Sequence, residues 1–267
     1  MEIKLIASDM DGTLLNNKKQ LPEGFFDMVR ALKKQGRTFV VASGRQYGAL
    51  RRDMGEVAQD VTYIAENGAL VMEGGRQLFI DALDAAEIPG ILAAAKGLEG
   101  VYPCVCRAGC AVVESSASEE FIRSMVMYYP NTVVTDDLEA YSRGLQDICK
   151  VAFFDEGDAA THELPVLDSA LSDHLAVILS GEQWVDVMKP GVHKGRAMQM
   201  LQEIKGVSPE QCMAFGDYLN DVQLLESVAE SYAMENALPE IKKIARYIAP
   251  SNEECGVVRV IKERFSL

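Results

Sequence analysis

The stretch Ile3-Lys4-Leu5-Ile6-Ala7-Ser8-Asp9-Met10-Asp11-Gly12-Thr13-Leu14 joins a short apolar run to an acidic turn. A run of this length, bounded by turn residues, predicts a buried strand, and Asp9 to Leu14 then lies just beyond its carboxyl end. Working outward, Pro22 opens a helical stretch that Gly36 stops. Thr38 to Ala42 reads as a second buried strand, followed by Ser43-Gly44-Arg45 and another helix-like segment, and Thr62 to Ala65 reads as a third strand. The sequence βαβαβ implies a parallel sheet covered on both faces. Ala69 to Met72 and Gln77 to Ile80 flank Gly74-Gly75 as the arms of a hairpin.

From about residue 82 to 186 the grammar changes. Helical patterns at Ala85 to Lys96 and Ser118 to Tyr129 are interleaved with strand-like runs at Val101 to Val105, Asp147 to Phe154, Leu175 to Leu179 and Trp184 to Val187. The strand-end acidic and glycine motifs of the first part are missing there, which suggests an α+β insert. After Gly191 the α/β rhythm returns, with a helix to about Ile204, a strand Gln211 to Phe215, a helix Leu219 to Val228, a strand near Tyr232, a helix Leu238 to Ala245 and a closing helix. The expected fold is α/β, a doubly wound, Rossmann-like parallel sheet made of residues 1–81 and 187–267, interrupted by an α+β cap at 82–186.

Composition narrows the function. The 267 residues are 48% hydrophobic and 25% charged, as in ordinary globular proteins, and length alone allows one large domain or two modest ones. With 26 Lys and Arg against 40 Asp and Glu, the formal charge is −14, a sign that repels phosphodiester backbones and anionic lipid, so neither nucleic acid nor membrane is an expected partner. Apolar runs such as Leu175 to Leu179 fall far short of the ~20 residues of a membrane span. The N-terminus shows no signal-peptide pattern, and six cysteines in a chain of this length do not form a disulfide scaffold, so a cytoplasmic location is expected. Cys104, Cys106 and Cys110 share parity on a predicted strand and read as packing rather than as a metal site. Oligomeric state is not legible.

Four strand-end elements carry the candidate chemistry. Asp9 and Asp11, one residue apart, can divide labour between nucleophile and proton carrier, although an Asp-Gly turn is the plainer alternative. Ser43 and Gly44 offer a hydroxyl and backbone N–H groups to a phosphate at a helix start, where an N-cap serine would serve equally. Lys194 opens a helix and can reach the same edge or face solvent. In Gly216-Asp217-Tyr218-Leu219-Asn220-Asp221 the oxygen-bearing side chains suit a hard cation such as Mg²⁺, or alternatively cap the next helix.

Together, DMDGTL at 9–14, SGR at 43–45, HKG at 193–195 and GDYLND at 216–221 resemble the four motifs of the haloacid dehalogenase superfamily in its phosphatase branch. ENGA at 66–69 and the stretch from Glu235-Asn236-Ala237 to Val257 are similar to its Cof-type subfamily, which carries a large cap between the second and third motifs. The resemblance implies that Asp9 attacks phosphorus to form an aspartyl-phosphate and that Asp11 protonates the leaving oxygen and then activates water. It implies that Ser43 and Gly44 bind the phosphoryl oxygens, with Asn220 also on the substrate side, and that Lys194 neutralises charge. Mg²⁺ would be held by Asp9, Asp217 and the Asp11 backbone carbonyl, with Asn220 and Asp221 orienting that shell or holding Lys194. Tyr218 and Cys255 replace a small polar and an acidic residue; Tyr218 either shapes the site entrance or packs.

Three functions follow. The first is a Mg²⁺-dependent phosphatase of a small phosphorylated metabolite, sugar phosphate foremost. The second is a phosphotransferase or mutase passing the phosphoryl group to a hydroxyl, which acceptor competition would reveal. The third is a non-catalytic phospho-accepting module, which needs neither Asp11 nor a cap. Within the cap, Arg107, Arg123, Arg143 and Lys150 are candidates for a second anionic group, and Tyr128 or Tyr141 for a ring.

Overall fold

Strands form where β-branched and aromatic residues run between turn residues, and helices where apolar positions recur at three and four. The protein was described from a computed structural model covering residues 2–267, the side chains of Glu120, Ser124, Val126, Met127 and Tyr128 excepted. The candidate ring at Tyr128 therefore lies outside the described residues. In chain order the strands are β1 (Leu5–Ser8), β2 (Thr38–Ala42), β3 (Val61–Ala65), β4 (Leu70–Glu73), β5 (Arg76–Ile80), β6 (Val101–Arg107), β7 (Ala111–Glu114), β8 (Thr132–Thr135), β9 (Ile148–Asp155), β10 (Ala176–Gly181), β11 (Trp184–Met188), β12 (Cys212–Gly216), β13 (Glu230–Met234) and β14 (Tyr247–Ala249).

The chain divides into two compact units, Met1–Phe79 with His193–Leu267, and Ile80–Val192. The first is built on a sheet of order β14-β13-β12-β1-β2-β3-β4-β5, parallel from β14 to β3, with β4 antiparallel to β3. Successive strands run outward from β1 on one side and from β12 on the other, so the order reverses between these two. That is the switch point at which doubly wound sheets bind ligands, beyond the strands' carboxyl ends. The strands here are apolar on both faces; β1 and β3 are buried throughout, as a sheet covered by helices on both sides requires.

The helix Phe25–Lys34 shows how the covering works. Phe25, Met28, Val29 and Leu32 recur at three and four and are buried, while basic Lys33 and Lys34 occupy the last turn, where the helix dipole favours them. Phe25 packs edge-on against Phe39 of β2 at 5.4 Å between ring centroids. Substituting so large a buried ring by alanine costs roughly 3–5 kcal/mol.

The second unit holds a sheet of order β10-β11-β9-β6-β7-β8, antiparallel except for the β7–β8 pair. One face packs Val105, Val151, Phe153, Val185 and Val187 against Ile88, Ile91, Leu167 and Leu171 of its helices; the other packs Cys104, Cys106 and Ala152 against Phe121 and Met125.

Several expectations need correction. The boundary at 186/187 would cut β11, whose residues pair with β9 and β10, so Trp184–Met188 belongs wholly to the second unit. Cys104 and Cys106 do share a buried face of β6, but Cys110 lies past the strand's end and packs with the opposite cluster. β7, β8 and β14 were not anticipated: each has four residues or fewer, too few to show a period. The helix Leu164–Leu171 was also missed, since Pro165 sits in its first turn, where proline is compatible with a helix but reads in sequence as a breaker. No helix among the described residues is long and apolar enough to cross a membrane.

Candidate active site

Register brings the motif residues together. Ser8 at the end of β1 is level with Phe215 of β12 and Val41 of β2, so Asp9, Asp217 and Ser43 leave three adjacent parallel strands at the same edge. Neighbouring strands are about 4.8 Å apart, so carboxylates leaving them side by side must crowd. The backbone N–H of Asp9 still pairs with the Phe215 carbonyl, at 3.1 Å, which carries the sheet's order one residue into the site.

Lys194 comes to this edge as the first residue of the helix Lys194–Lys205. His193 caps that helix, its Nδ1 accepting from the Arg196 N–H at 3.0 Å, and burial holds its imidazole below the ordinary histidine range. It is therefore a neutral cap. The Lys194 ammonium is wholly buried and donates to Asp9 Oδ1 at 2.6 Å and to Asp221 Oδ1 at 2.7 Å. The solvent-facing alternative for Lys194 is thereby excluded. Burial pulls the Lys194 pKa down, but Asp9 and Asp221 outweigh it and the ammonium stays charged. Asp9 behaves oppositely: burial, with Asp221 and Asp217, pushes its carboxyl up to about 7 against the pull of Lys194.

Asp221 has a different task. Its Oδ1 takes Lys194, and its Oδ2 accepts the backbone N–H groups of Asp217 and Tyr218 at 3.0 and 3.2 Å. The loop after β12 is thus folded around its own aspartate, leaving Asp217 half-buried at the strand-end edge. Asp217 accepts from Thr13 Oγ1 at 2.6 Å, and burial raises it to about 6, with Asp221 adding to that rise. Tyr218 is 56% exposed, so it is not a packed aromatic.

Asp9, Asp217 and Asp221 each bring a carboxylate oxygen within 4.8 Å of the others. Three carboxylates against one buried ammonium leave two formal negative charges, which a divalent hard cation offsets, and carboxylate oxygen is the donor type Mg²⁺ prefers. The donor set fits the metal. Since both Asp221 oxygens are committed to Lys194 and to backbone N–H groups, Asp9 and Asp217 are the carboxylates free to hold it.

The Asp11 side chain departs from expectation. Its carboxylate lies in the fork of Arg45, accepting from Nε at 2.8 Å and Nη2 at 2.6 Å, and from Lys19 Nζ at 2.7 Å. Burial alone would raise its pKa, but Arg45 and Lys19 reverse the sign and hold it below the usual carboxylate range. Its carboxylate is absent from the cluster that could hold a cation, so the Asp11 side chain is not placed as a metal ligand. In this arrangement Asp11 is an ionised, tethered side chain.

The loop between β1 and the first helix is fixed from several sides. Leu14 and Leu15 N–H groups return to the Met10 carbonyl at 3.1 and 2.8 Å, and Asn236 Nδ2 donates to the Gly12 carbonyl at 2.7 Å. Asn252 in turn donates its backbone N–H to Asn236 Oδ1 and its Nδ2 to the Leu15 carbonyl. Gly12 has φ of 83°, and a Cβ there would meet Asp217 Oδ2 at 2.3 Å, so any side chain would be strained and would displace the Asp217 carboxylate.

Ser43 is buried, its Oγ accepting the Arg45 N–H at 3.2 Å; it is not the N-cap serine of the alternative reading, because the helix Tyr47–Asp53 is capped by Gln46, whose Oε1 accepts the Ala49 N–H at 3.2 Å. Beside Gly44 sits Asn67, in the left-handed region at φ of 54°, whose Oδ1 accepts from exposed Asn220 at 3.3 Å. Gly68 follows at φ of 107°, where a Cβ would strike the His193 carbonyl at 2.4 Å; ENGA therefore carries Asn67 past the start of the lysine helix. Thr13, Arg45, Asn67 and Asn236 lie inside the quoted motifs but were given no role of their own, and Lys19 lies in none of them.

The cap cations are already engaged within their own unit. Arg107 forks onto Asp147 at 2.9 and 3.0 Å and donates to Tyr141 Oη, Lys150 is buried against Asp186 at 2.8 Å, and Arg123 and Arg143 pair with Glu119 and Glu139 on exposed helix faces. Lys150 in particular is spent on a buried partner.

Residues 6–261 match the model of the haloacid dehalogenase-like hydrolase family. The chain belongs to that family. Among these hydrolases it is 32% identical, over 98% of its length and 96% of the relative's, to the 5-amino-6-(5-phospho-D-ribitylamino)uracil phosphatase YbjI of Escherichia coli (strain K12). It is 28% identical over the full length of both chains to the phosphatase YitU of Bacillus subtilis (strain 168), named for the same substrate. The crystal structure of SMU.1108c from Streptococcus mutans UA159 superposes with a TM-score of 0.83 at 26% identity, covering both chains completely. The family and its Cof-type phosphatase branch are those the motifs pointed to.

Proposed function

We propose that the protein is a Mg²⁺-dependent phosphatase of small phosphorylated metabolites, sugar phosphates first among them, acting through an aspartyl-phosphate on Asp9. The observation that carries this reading is the buried contact of Lys194 with Asp9 at 2.6 Å, at the switch point and beside Asp217. An ammonium so placed offsets the repulsion between a carboxylate nucleophile and a phosphate dianion.

Asp9 attacks phosphorus while the bond to the leaving oxygen breaks, and Asp11, which must first leave Arg45 and Lys19 and take up a proton from solvent, supplies the proton that oxygen needs. A water that gives its proton to Asp11 then attacks the same phosphorus, and the bond to Asp9 breaks, returning the carboxylate. Ser43 Oγ and the Gly44 N–H bind phosphoryl oxygens, Asn220 lies on the substrate side, and Lys194 neutralises their charge. Asp9, Asp217 and the Asp11 carbonyl would hold Mg²⁺, which when bound polarises the phosphoryl group and shields it from the carboxylates. Asp221 keeps Lys194 and the Asp217 loop in place. Residues 80–192 act as the specificity cap. The names of YbjI and YitU support a phosphomonoester substrate and place a phosphorylated sugar alcohol among those to try.

The test is release of inorganic phosphate from p-nitrophenyl phosphate, sugar phosphates, ribitol 5-phosphate and nucleotides, with Mg²⁺ or with EDTA. Turnover with Mg²⁺ that EDTA abolishes is expected. Folded protein that releases no phosphate from any member, or releases it equally in EDTA, contradicts the reading.

A further inference from the structure

Asp11 is held by more positive charge than one carboxylate needs. Lys19 and Arg45 both bind it, Arg45 reaches on to Asp53 at 2.9 Å, and Arg52 contacts the far oxygen of Asp53 at 3.3 Å. Three cations thus face two carboxylates. Lys19 is no loose surface lysine. It stands in a turn with φ of 60°, in which Asn16 Oδ1 accepts the Lys18 and Gln20 N–H groups at 3.0 and 2.9 Å and the Lys19 N–H returns to the Asn16 carbonyl at 2.8 Å. From outside, Glu253 accepts the Asn17 N–H at 2.6 Å and Asn252 donates to Asn17 Oδ1 at 3.3 Å. A left-handed lysine in so tied a turn is a strained conformation kept by its surroundings.

This geometry bears on the substrate, on the reading that Asp11 serves the leaving oxygen. To do so Asp11 must swing to within about 3 Å of that oxygen. Lys19 and Arg45 then lose their shared partner while remaining near the leaving group, and Asp53, which Arg52 also contacts, pairs with Arg45 but not with Lys19. We propose that Lys19 is a specificity-determining residue of the substrate site, and that with Arg45 it selects leaving groups carrying a second anionic group a few bonds from the ester oxygen. The leaving group's anion takes the place that Asp11 vacates, so binding such a substrate and releasing Asp11 favour each other. Arg45, held by Asp53, positions Asp11 in the resting site.

The test uses 3-phosphoglycerate and glycerol 3-phosphate, which differ by a carboxylate in place of a hydroxymethyl group. Each is measured as a competitive inhibitor of p-nitrophenyl phosphate hydrolysis with Mg²⁺, for the wild type, Lys19→Met and Lys19→Arg. The wild type is expected to bind 3-phosphoglycerate more tightly, Lys19→Met to lose about fivefold of that preference, the upper range for one exposed ion pair, and Lys19→Arg to keep it. The preference should shrink as salt rises, because the Lys19 side chain is 62% exposed. Equal inhibition constants in the wild type, or an equal change for both ligands in Lys19→Met, overturn the inference while leaving phosphatase activity intact. Absence of p-nitrophenyl phosphate hydrolysis would remove the functional reading itself, and this inference with it.

Discussion

Asp9→Asn is expected to lower phosphate release by at least about 10⁴-fold while leaving the protein folded, because an amide cannot form the acyl phosphate and nothing else in the cluster is placed to replace it. The same variant should alter how stability depends on pH. Asp9 has a folded pKa of about 7, above the ordinary value of 3.8 that it regains on unfolding. Between those values the folded state binds more protons than the unfolded state, so stability falls as pH rises through that window. Asparagine carries no such penalty. The Tm of Asp9→Asn minus that of the wild type should therefore increase from about pH 4 to about pH 7 in EDTA, and the increase should diminish with Mg²⁺. Thermal melts across that range check it; a flat difference would contradict the assigned burial of Asp9.

Lys194→Met is expected to be the most destabilising single change in the site. It leaves Asp9 and Asp221, both buried, facing each other without a counter-charge, and removing one partner of a buried ion pair costs roughly 3–5 kcal/mol. The sign with pH is set by the carboxylates: protonating them removes the repulsion, so the loss should be largest near pH 8 and shrink as the solution is acidified. Since Lys194 and Asp221 act on each other, Lys194→Met with Asp221→Asn should be less unstable than the two separate losses predict, as urea unfolding of all three variants would show. Activity should fall about 10²–10³-fold, the range for losing one preorganised charge partner of the reacting group.

These expectations rest on positions visible in the sequence to different degrees. The strand-end motifs were legible because each combines a short apolar run with residue types that turns seldom need together, as in Asp9-Met10-Asp11-Gly12. Their convergence followed from strand order alone, since β1 lies between β2 and β12. What remained hidden was which partner each charge takes. Nothing local tells that Arg45 and Lys19 close on Asp11, or that Asp221 holds Lys194, because these contacts join residues 34, 8 and 27 positions apart. The short strands β8 and β14 escaped for a related reason, their pairing being set by neighbours rather than by their own pattern. In the second unit, Lys150 looked like a free cation until β11 brought Asp186 beside it.

The central claim is that Asp9 itself carries the phosphoryl group. The most direct measurement is to quench the enzyme in acid during Mg²⁺-supported turnover of p-nitrophenyl phosphate and map the peptides by mass. The account predicts the added mass of one phosphoryl group on the peptide containing Asp9, absent from Asp9→Asn. A phosphoryl group on any other residue, or undiminished labelling of the variant, would contradict it.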